Sequence, residues 1–207
     1  MRGNKTTREI FDAVIQMPPD QSETVERIDW IKRNLDHIVS KGFCGSTEPR
    51  KRTIIDIGGA TGVFAYMFQD GFWKSEIVDP SDTGCFVTEF GIDYHQCYFD
   101  SGFKHPGVDL IAMVFTLEHL ADPVGCLKAA KSILDRGGML YIEVPDAFAF
   151  DYKPADDDIF NSCHLWMFSP KSLLKTFGIA GFEMMALRRT ITFRGHYSLC
   201  ALAINAQ

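Results

Sequence analysis

The chain has no paired cysteines. Its six cysteines (Cys44, Cys85, Cys97, Cys126, Cys163 and Cys200) are scattered, and no two stand in a C-x-x-C pair. Zinc-binding spacings are therefore absent and no metal site is expected. Most of these residues read as small core side chains in a reducing compartment, without a disulfide framework. A basic excess is also lacking: 21 Lys+Arg stand against 27 Asp+Glu, for a formal net charge of −6. The densest basic stretch, Arg50-Lys51-Arg52, is short and reads as the solvated start of a strand. Without a cationic stripe, the charge argues against nucleic acid as a partner. Long apolar runs are missing too. The stretch 110–115 is strand-sized and far too short for a bilayer, and residues 1–9 are polar, without the apolar centre of a signal peptide. These absences lead us to expect a cytoplasmic protein with no membrane partner.

What is present is globular in character. Hydrophobic residues make up 46% of the 207 and charged residues 23%, enough to bury one sizeable core. Residues 1–50 read as a helical preface. Ile10, Phe11, Val14 and Ile15 share one helix face, which Pro18-Pro19 stops. A second helix is predicted from about Ser22 to Ser40, with Ser22 as N-cap and Val25, Ile28, Ile31, Leu35 and Ile38 at helical spacing. Residues 42–49 have linker composition.

From residue 53 strands alternate with helices. Strands are predicted at 53–57, 76–78, 95–99, 109–115 and 139–144, and the apolar run of the fourth suggests burial on both faces. A helix opens at Asp122-Pro123 and is expected to stop at Gly137-Gly138. Residues 147–163 form an irregular aromatic and acidic stretch, in which Asp156-Asp157-Asp158 reads as a solvated loop. Ser169-Pro170 opens a helix to Phe177, and two further strands, 182–188 and 197–204, follow without a helix between them. The predicted fold is α/β: a doubly wound, Rossmann-like sheet of about seven strands, mostly parallel, with an antiparallel C-terminal edge hairpin and added N-terminal helices. We divide the chain into a helical segment, 1–50, and the α/β domain, 51–207.

Two features of this pattern carry chemistry. Ile54-Ile55-Asp56-Ile57 runs into Gly58-Gly59-Ala60-Thr61-Gly62, a small-residue turn between strand and helix that lets a ligand approach the backbone. Asp79 ends the second strand, where a carboxylate can accept from two ribose hydroxyls or serve as a turn residue before Pro80-Ser81. A dinucleotide fingerprint, G-x-G-x-x-G, would need glycine at 60 and 63, where Ala60 and Val63 stand. A ligand with an adenosine and an amino-acid arm, but no pyrophosphate, fits this shorter turn better.

The ordered set of motifs resembles class I S-adenosylmethionine-dependent methyltransferases, in particular the small-molecule branch with an "LEH" signature. The matching pieces are Asp56-Ile57-Gly58-Gly59-Ala60-Thr61-Gly62, Val78-Asp79-Pro80-Ser81, Asp109-Leu110-Ile111, Leu117-Glu118-His119-Leu120, Asp122-Pro123, Leu134-Asp135-Arg136-Gly137-Gly138 and Val144-Pro145-Asp146. His164, Phe168-Ser169 and Gly181-Phe182 follow in the same order, so the resemblance spans roughly 53–204. Ala60 departs from it, glycine being usual there.

The resemblance implies S-adenosyl-L-methionine as cofactor and a small-molecule or glycan-precursor acceptor. It places Gly58, Gly59 and Gly62 under the methionine arm, Asp56 where it orients the turn or the ammonium group, Asp79 on the ribose and Asp100 near the adenine. Phe115, Thr116 and Leu117 would line the site after the fourth strand. The aromatic stretch 148–166 would supply the acceptor pocket. His119 and His164 are the candidate bases, needed only if the acceptor must lose a proton; each reads as readily as a structural histidine bonding a loop carbonyl. Two alternatives stay open. One is a protein or nucleic-acid methyltransferase, although the N/D-P-P-Y/F motif of base methylation is replaced by Phe115-Thr116-Leu117-Glu118. The other is a non-catalytic protein that binds the cofactor or scaffolds a partner.

Overall fold

The computed structural model describes residues 5–40, 51–154, 156–160 and 163–205. The expected linker at 42–49 lies outside them. Two helices lead the chain. α1 (Thr7–Ile15) starts at a capping box in which Thr6 and Glu9 satisfy each other's backbone N–H. α2 (Glu23–Ser40) follows the Pro18-Pro19 break.

The α/β part then runs β1 (Arg52–Ile57), α3 (Val63–Phe68), β2 (Trp73–Val78), β3 (Asp93–His95), β4 (Val108–Val114), α4 (Pro123–Ile133), β5 (Leu134–Pro145), α5 (Pro170–Ala180), β6 (Glu183–Ile191) and β7 (Tyr197–Ile204). These strands form one seven-stranded sheet of order β3-β2-β1-β4-β5-β7-β6. β1 to β5 pair in parallel, whereas β7 runs antiparallel to both β5 and β6. The expected mostly parallel sheet with a C-terminal hairpin is therefore what forms.

The two-residue period of the strands divides the core. Ile55, Ile57, Ile111, Met113, Leu140 and Ile142 face one side and meet Leu127, Ile133, Leu173 and Phe177 of α4 and α5. Their neighbours Ile54, Leu110, Ala112, Met139 and Tyr141 face the other side and meet Ile28, Ile31, Leu35 and Ile38 of α2, with Phe64 and Phe68 of α3. The N-terminal helices are thus packed onto the sheet. Phe11 of α1, fully buried, sits against Val63, Ile77 and Val87.

Helix ends follow their caps. Asp122 accepts from Gly125 N at the start of α4, with Pro123 in the first turn. Ser169 caps α5, and Gly181 closes it in the left-handed conformation.

Two boundaries differ from the sequence reading. α4 ends at Ile133, not at the glycine pair, and β5 begins at once with Leu134. Gly137 and Gly138 lie inside β5, where pairing with β4 shifts register between Val108 and Leu110 and Gly137 has φ 75°. The glycines serve a strand irregularity instead of a helix stop. The third strand is Asp93–His95; Cys97 N then donates to His95 O, turning the chain where strand was expected.

In the sheet order, β1 continues to β2 on one side and has β4 on the other. That reversal puts the carboxyl ends of β1 and β4 on either side of a crevice, the place where open α/β sheets bind ligands.

Candidate functional site

The turn after β1 is a tight strand-to-helix reversal. Gly58 and Gly62 both have φ 75°. A Cβ on Gly58 would lie 2.5 Å from Thr116 Oγ1, and one on Gly62 would collide with the Val87 side chain. Ala60 is also left-handed, at φ 33°, and so is Phe115, at φ 53°, just past β4. Non-glycine residues in that region are strained and persist where surrounding structure holds them. Here both walls of the crevice carry one. Ala60 N donates to Asp79 Oδ2 at 3.0 Å, and Ser81 N donates to Asp79 Oδ1 at 2.8 Å. Asp79 therefore clamps the end of β2 to the turn.

Asp56 is buried beneath the turn. Burial pushes its carboxyl up to about 7; Arg27 opposes this and Asp79 adds to it. A further cation brought against Asp56 would favour its ionised form.

A cavity of about 390 Å³ opens over the turn. Its floor is Asp56, Gly58, Gly59, Ala60 and Thr61, and Val114, Phe115 and Glu118 bring the end of β4. Lys153, Asp157, Ile159 and His164 come from the aromatic stretch, which winds as short 3-10 turns over 147–152 and 158–160. The remaining wall was not expected from sequence: Glu23, Thr24 and Arg27 of α2, and Arg194, His196 and Tyr197 of the β6–β7 hairpin.

Arg27 and Glu143 are both buried and meet in a two-pronged pair, Nε to Oε2 at 2.5 Å and NH2 to Oε1 at 3.0 Å. Tyr141 donates its hydroxyl to Glu143 Oε2 at 2.6 Å. Burial alone would raise the Glu143 carboxyl, but the charge and hydrogen bonds of Arg27 hold it below the usual range. A charged residue inside an apolar strand, opposite an arginine among apolar helix positions, is the signal that could have revealed this pair.

Glu118 is buried and, among the described residues, neither of its carboxylate oxygens has a hydrogen-bond partner. Burial pushes this carboxyl up to about 8, with a smaller contribution from Glu143. Its backbone oxygen accepts from Leu165 N at 2.8 Å and Trp166 N at 3.1 Å, which ties the aromatic stretch to the end of β4.

The sequence-derived residues divide into three groups. Asp56, Gly58, Gly59, Phe115 and His164 line the cavity. Gly62, Asp79, Thr116 and Leu117 stand behind its wall: Gly62 against Val87, Asp79 on Ala60 N, Thr116 against Gly58 and Leu117 in the core. His119 lies beside the cavity, its ring 4.8 Å from that of His164. Asp100 is exposed after β3, where its Oδ1 accepts from Gly102 N at 2.6 Å. Both histidines bond loop carbonyls, His119 Nδ1 with Cys163 O at 2.9 Å and His164 Nδ1 with Ile159 O at 2.8 Å.

Known proteins share this fold. The profile of a methyltransferase domain family matches residues 26–187. An S-adenosylmethionine-dependent methyltransferase from Clostridium acetobutylicum superposes with a TM-score of 0.61 at 12% identity, over 95% of this chain and 96% of that one. Magnesium protoporphyrin IX methyltransferase from Synechocystis, solved with bound SAH, gives 0.61 at 13% identity, over 86% and 81%. An O-methyltransferase family 2 protein from Planctomyces limnophilus, in complex with apigenin, gives 0.61 at 16% identity; 78% of this chain is aligned, spanning only 52% of that one. At these identities the likeness establishes the fold. A search of curated proteins finds no match. Among the described residues, no helix is long and apolar enough to cross a membrane.

Proposed function

The chain belongs to the methyltransferase-domain family, and from that premise we propose that it methylates a small-molecule or glycan-precursor acceptor. S-adenosylmethionine is the methyl donor of this chemistry. The turn fits it in two respects: the side-chain-free backbone of Gly58 and Gly59 lines the cavity floor, and the buried Asp56 carboxyl beside it, raised to about 7 despite Arg27, would be held ionised by a further cation. When bound, the donor supplies an electrophilic methyl carbon on a sulfonium, with a neutral thioether as leaving group.

The chain's own residues then hold and orient. Gly58 and Gly59 let the methionine arm lie against the backbone, and Asp56 faces its ammonium. Asp79, already oriented by Ala60 N and Ser81 N, keeps lone pairs for the ribose hydroxyls. Phe115 forms the wall after β4, with Thr116 and Leu117 behind it, and Asp100, outside the cavity lining on the exposed turn after β3, would contact the adenine. The enclosure by α2, the hairpin and the 147–164 stretch aligns the acceptor, and such alignment can lower a barrier by about 7–11 kcal/mol. His164 faces the acceptor half. Its Nδ1 proton is committed to the Ile159 carbonyl, so Nε2 is left to take a proton from a hydroxyl acceptor. His119 stands beside it as the second candidate. The Leu117-Glu118-His119 turn supports a place in the small-molecule branch, and the free thiols of Cys85, Cys97, Cys126 and Cys200 support a reducing, cytoplasmic setting.

The observation that carries this reading is the joining of the glycine turn and His164 in one cavity. The test is acceptor-dependent release of S-adenosylhomocysteine across a panel of hydroxylated small molecules. His164→Ala is expected to lower turnover at least tenfold while cofactor affinity changes less than twofold. Equal turnover would return His164 to a structural role.

A further inference from the structure

His119 follows β4, and Cys163 and His164 lie 44 and 45 residues further along the chain. Their spacing matches no zinc motif, yet the fold brings them together: one ligating atom on each lies within 4.8 Å of those on the other two. We propose that these three side chains hold a single divalent cation of the zinc type at the rim of the cavity.

The donor set selects the ion. Two imidazoles and a thiolate suit zinc, whereas magnesium and calcium take oxygen ligands. Bond lengths of about 2.0–2.3 Å would set the ligating atoms roughly 3.3–3.7 Å apart in a tetrahedral site. Reaching this from the present separations takes an inward shift of about 1 Å. His119 and Cys163 are exposed and His164 half-buried, so the side chains have room to make it.

The second observation is the orientation of the rings. A carbonyl can only accept, so the bonds to Cys163 O and Ile159 O put the proton of each imidazole on Nδ1. Nε2 of both rings keeps its lone pair. Metal-binding histidines are held in this way, with the remote N–H on a carbonyl or carboxylate. The buried Glu118 carboxyl lies 3.9 Å from His119 Nε2 and would receive a counter-charge from the ion.

Three protein ligands leave one tetrahedral position open, the arrangement of sites that bind water or substrate. Because His164 lines the cavity, that position faces the acceptor half. Occupancy would turn the His164 lone pair from proton to metal. The ligand set does not depend on the methyl-transfer reading, so a chain that bound no cofactor would still bind the ion.

The test uses the full chain, reduced and stripped with a chelator, then titrated with Co²⁺ and afterwards with Zn²⁺. One equivalent of Co²⁺ should bind, giving a thiolate-to-metal charge-transfer band that Zn²⁺ abolishes. Cys163→Ser should remove the band, and His119→Ala should weaken binding by at least about tenfold. A zinc-dependent rise in melting temperature in the parent, lost in Cys163→Ser, provides a readout without spectroscopy, and a cooperative melt of the metal-free variant near the parent's temperature confirms that it folds. No stoichiometric binding, or binding unchanged in both variants, would overturn the proposal and leave methyl transfer untouched.

Discussion

Arg27 and Glu143 stand 116 residues apart in sequence and form a buried bidentate ion pair that joins α2 to the C-terminal end of β5. Neither residue could be buried alone without a large desolvation cost. The pair therefore makes the N-terminal helix part of the cavity wall, since Arg27 and its neighbours Glu23 and Thr24 all face the opening.

Removing one partner should reveal this. Arg27→Met leaves Glu143 charged and buried, and is expected to cost about 3–5 kcal/mol. Arg27→Met combined with Glu143→Leu should recover most of that loss. Urea unfolding of the two single variants and the double variant measures it; equal destabilisation in the single and double variants would contradict the account.

Asp56 gives a pH prediction. Its carboxyl ordinarily ionises near 3.8, but burial raises it to about 7 in the folded chain. Between those values the unfolded chain has released the proton that the folded chain retains. Stability from this group therefore falls as pH rises through that interval and levels off above 7. Asp56→Asn should flatten the slope and stabilise the cofactor-free protein at pH 8 by roughly 1–3 kcal/mol. Cofactor binding runs the other way, because an ammonium partner favours ionised Asp56. Affinity should rise from pH 5.5 to 7 by up to about tenfold per pH unit, and Asp56→Asn should abolish the rise. Melting temperatures and calorimetry across that range check both.

Gly62 tests the turn itself. Gly62→Ala places a Cβ at φ 75° against Val87 and should destabilise by about 1–3 kcal/mol. In a Val87→Ala background, whose own packing cost is measured separately, Gly62→Ala should cost less by the part due to collision, because backbone strain remains. A thermal melt of the two variants separates the contributions.

Much of this fold is legible in the sequence because its strands are buried on both faces. Thr53 to Ile57 is a short β-rich run and Leu110 to Val114 a continuous apolar one, and Asp122-Pro123 and Ser169-Pro170 announce their helices. Gly137-Gly138 misleads because a glycine pair after a helical pattern looks like a helix stop; the pairing of Leu134 with Val108 already makes that stretch strand. The glycine turn is legible as a local motif. The far wall is not. Arg27 and Arg194 belong to no motif, and only the packing of α2 and the hairpin around the crevice brings them to the cavity; Glu118 is visible in sequence only as the middle of Leu117-Glu118-His119. The His119–Cys163–His164 cluster is hidden for the same reason, its members being separated by α4 and β5.

The most direct test of the central claim is calorimetric titration of the purified full chain with S-adenosylmethionine and, separately, with NAD. The account predicts one-to-one binding of S-adenosylmethionine at micromolar affinity or tighter, about −8 kcal/mol or better, and no heat with NAD. Absence of S-adenosylmethionine binding, or a preference for NAD, would contradict it.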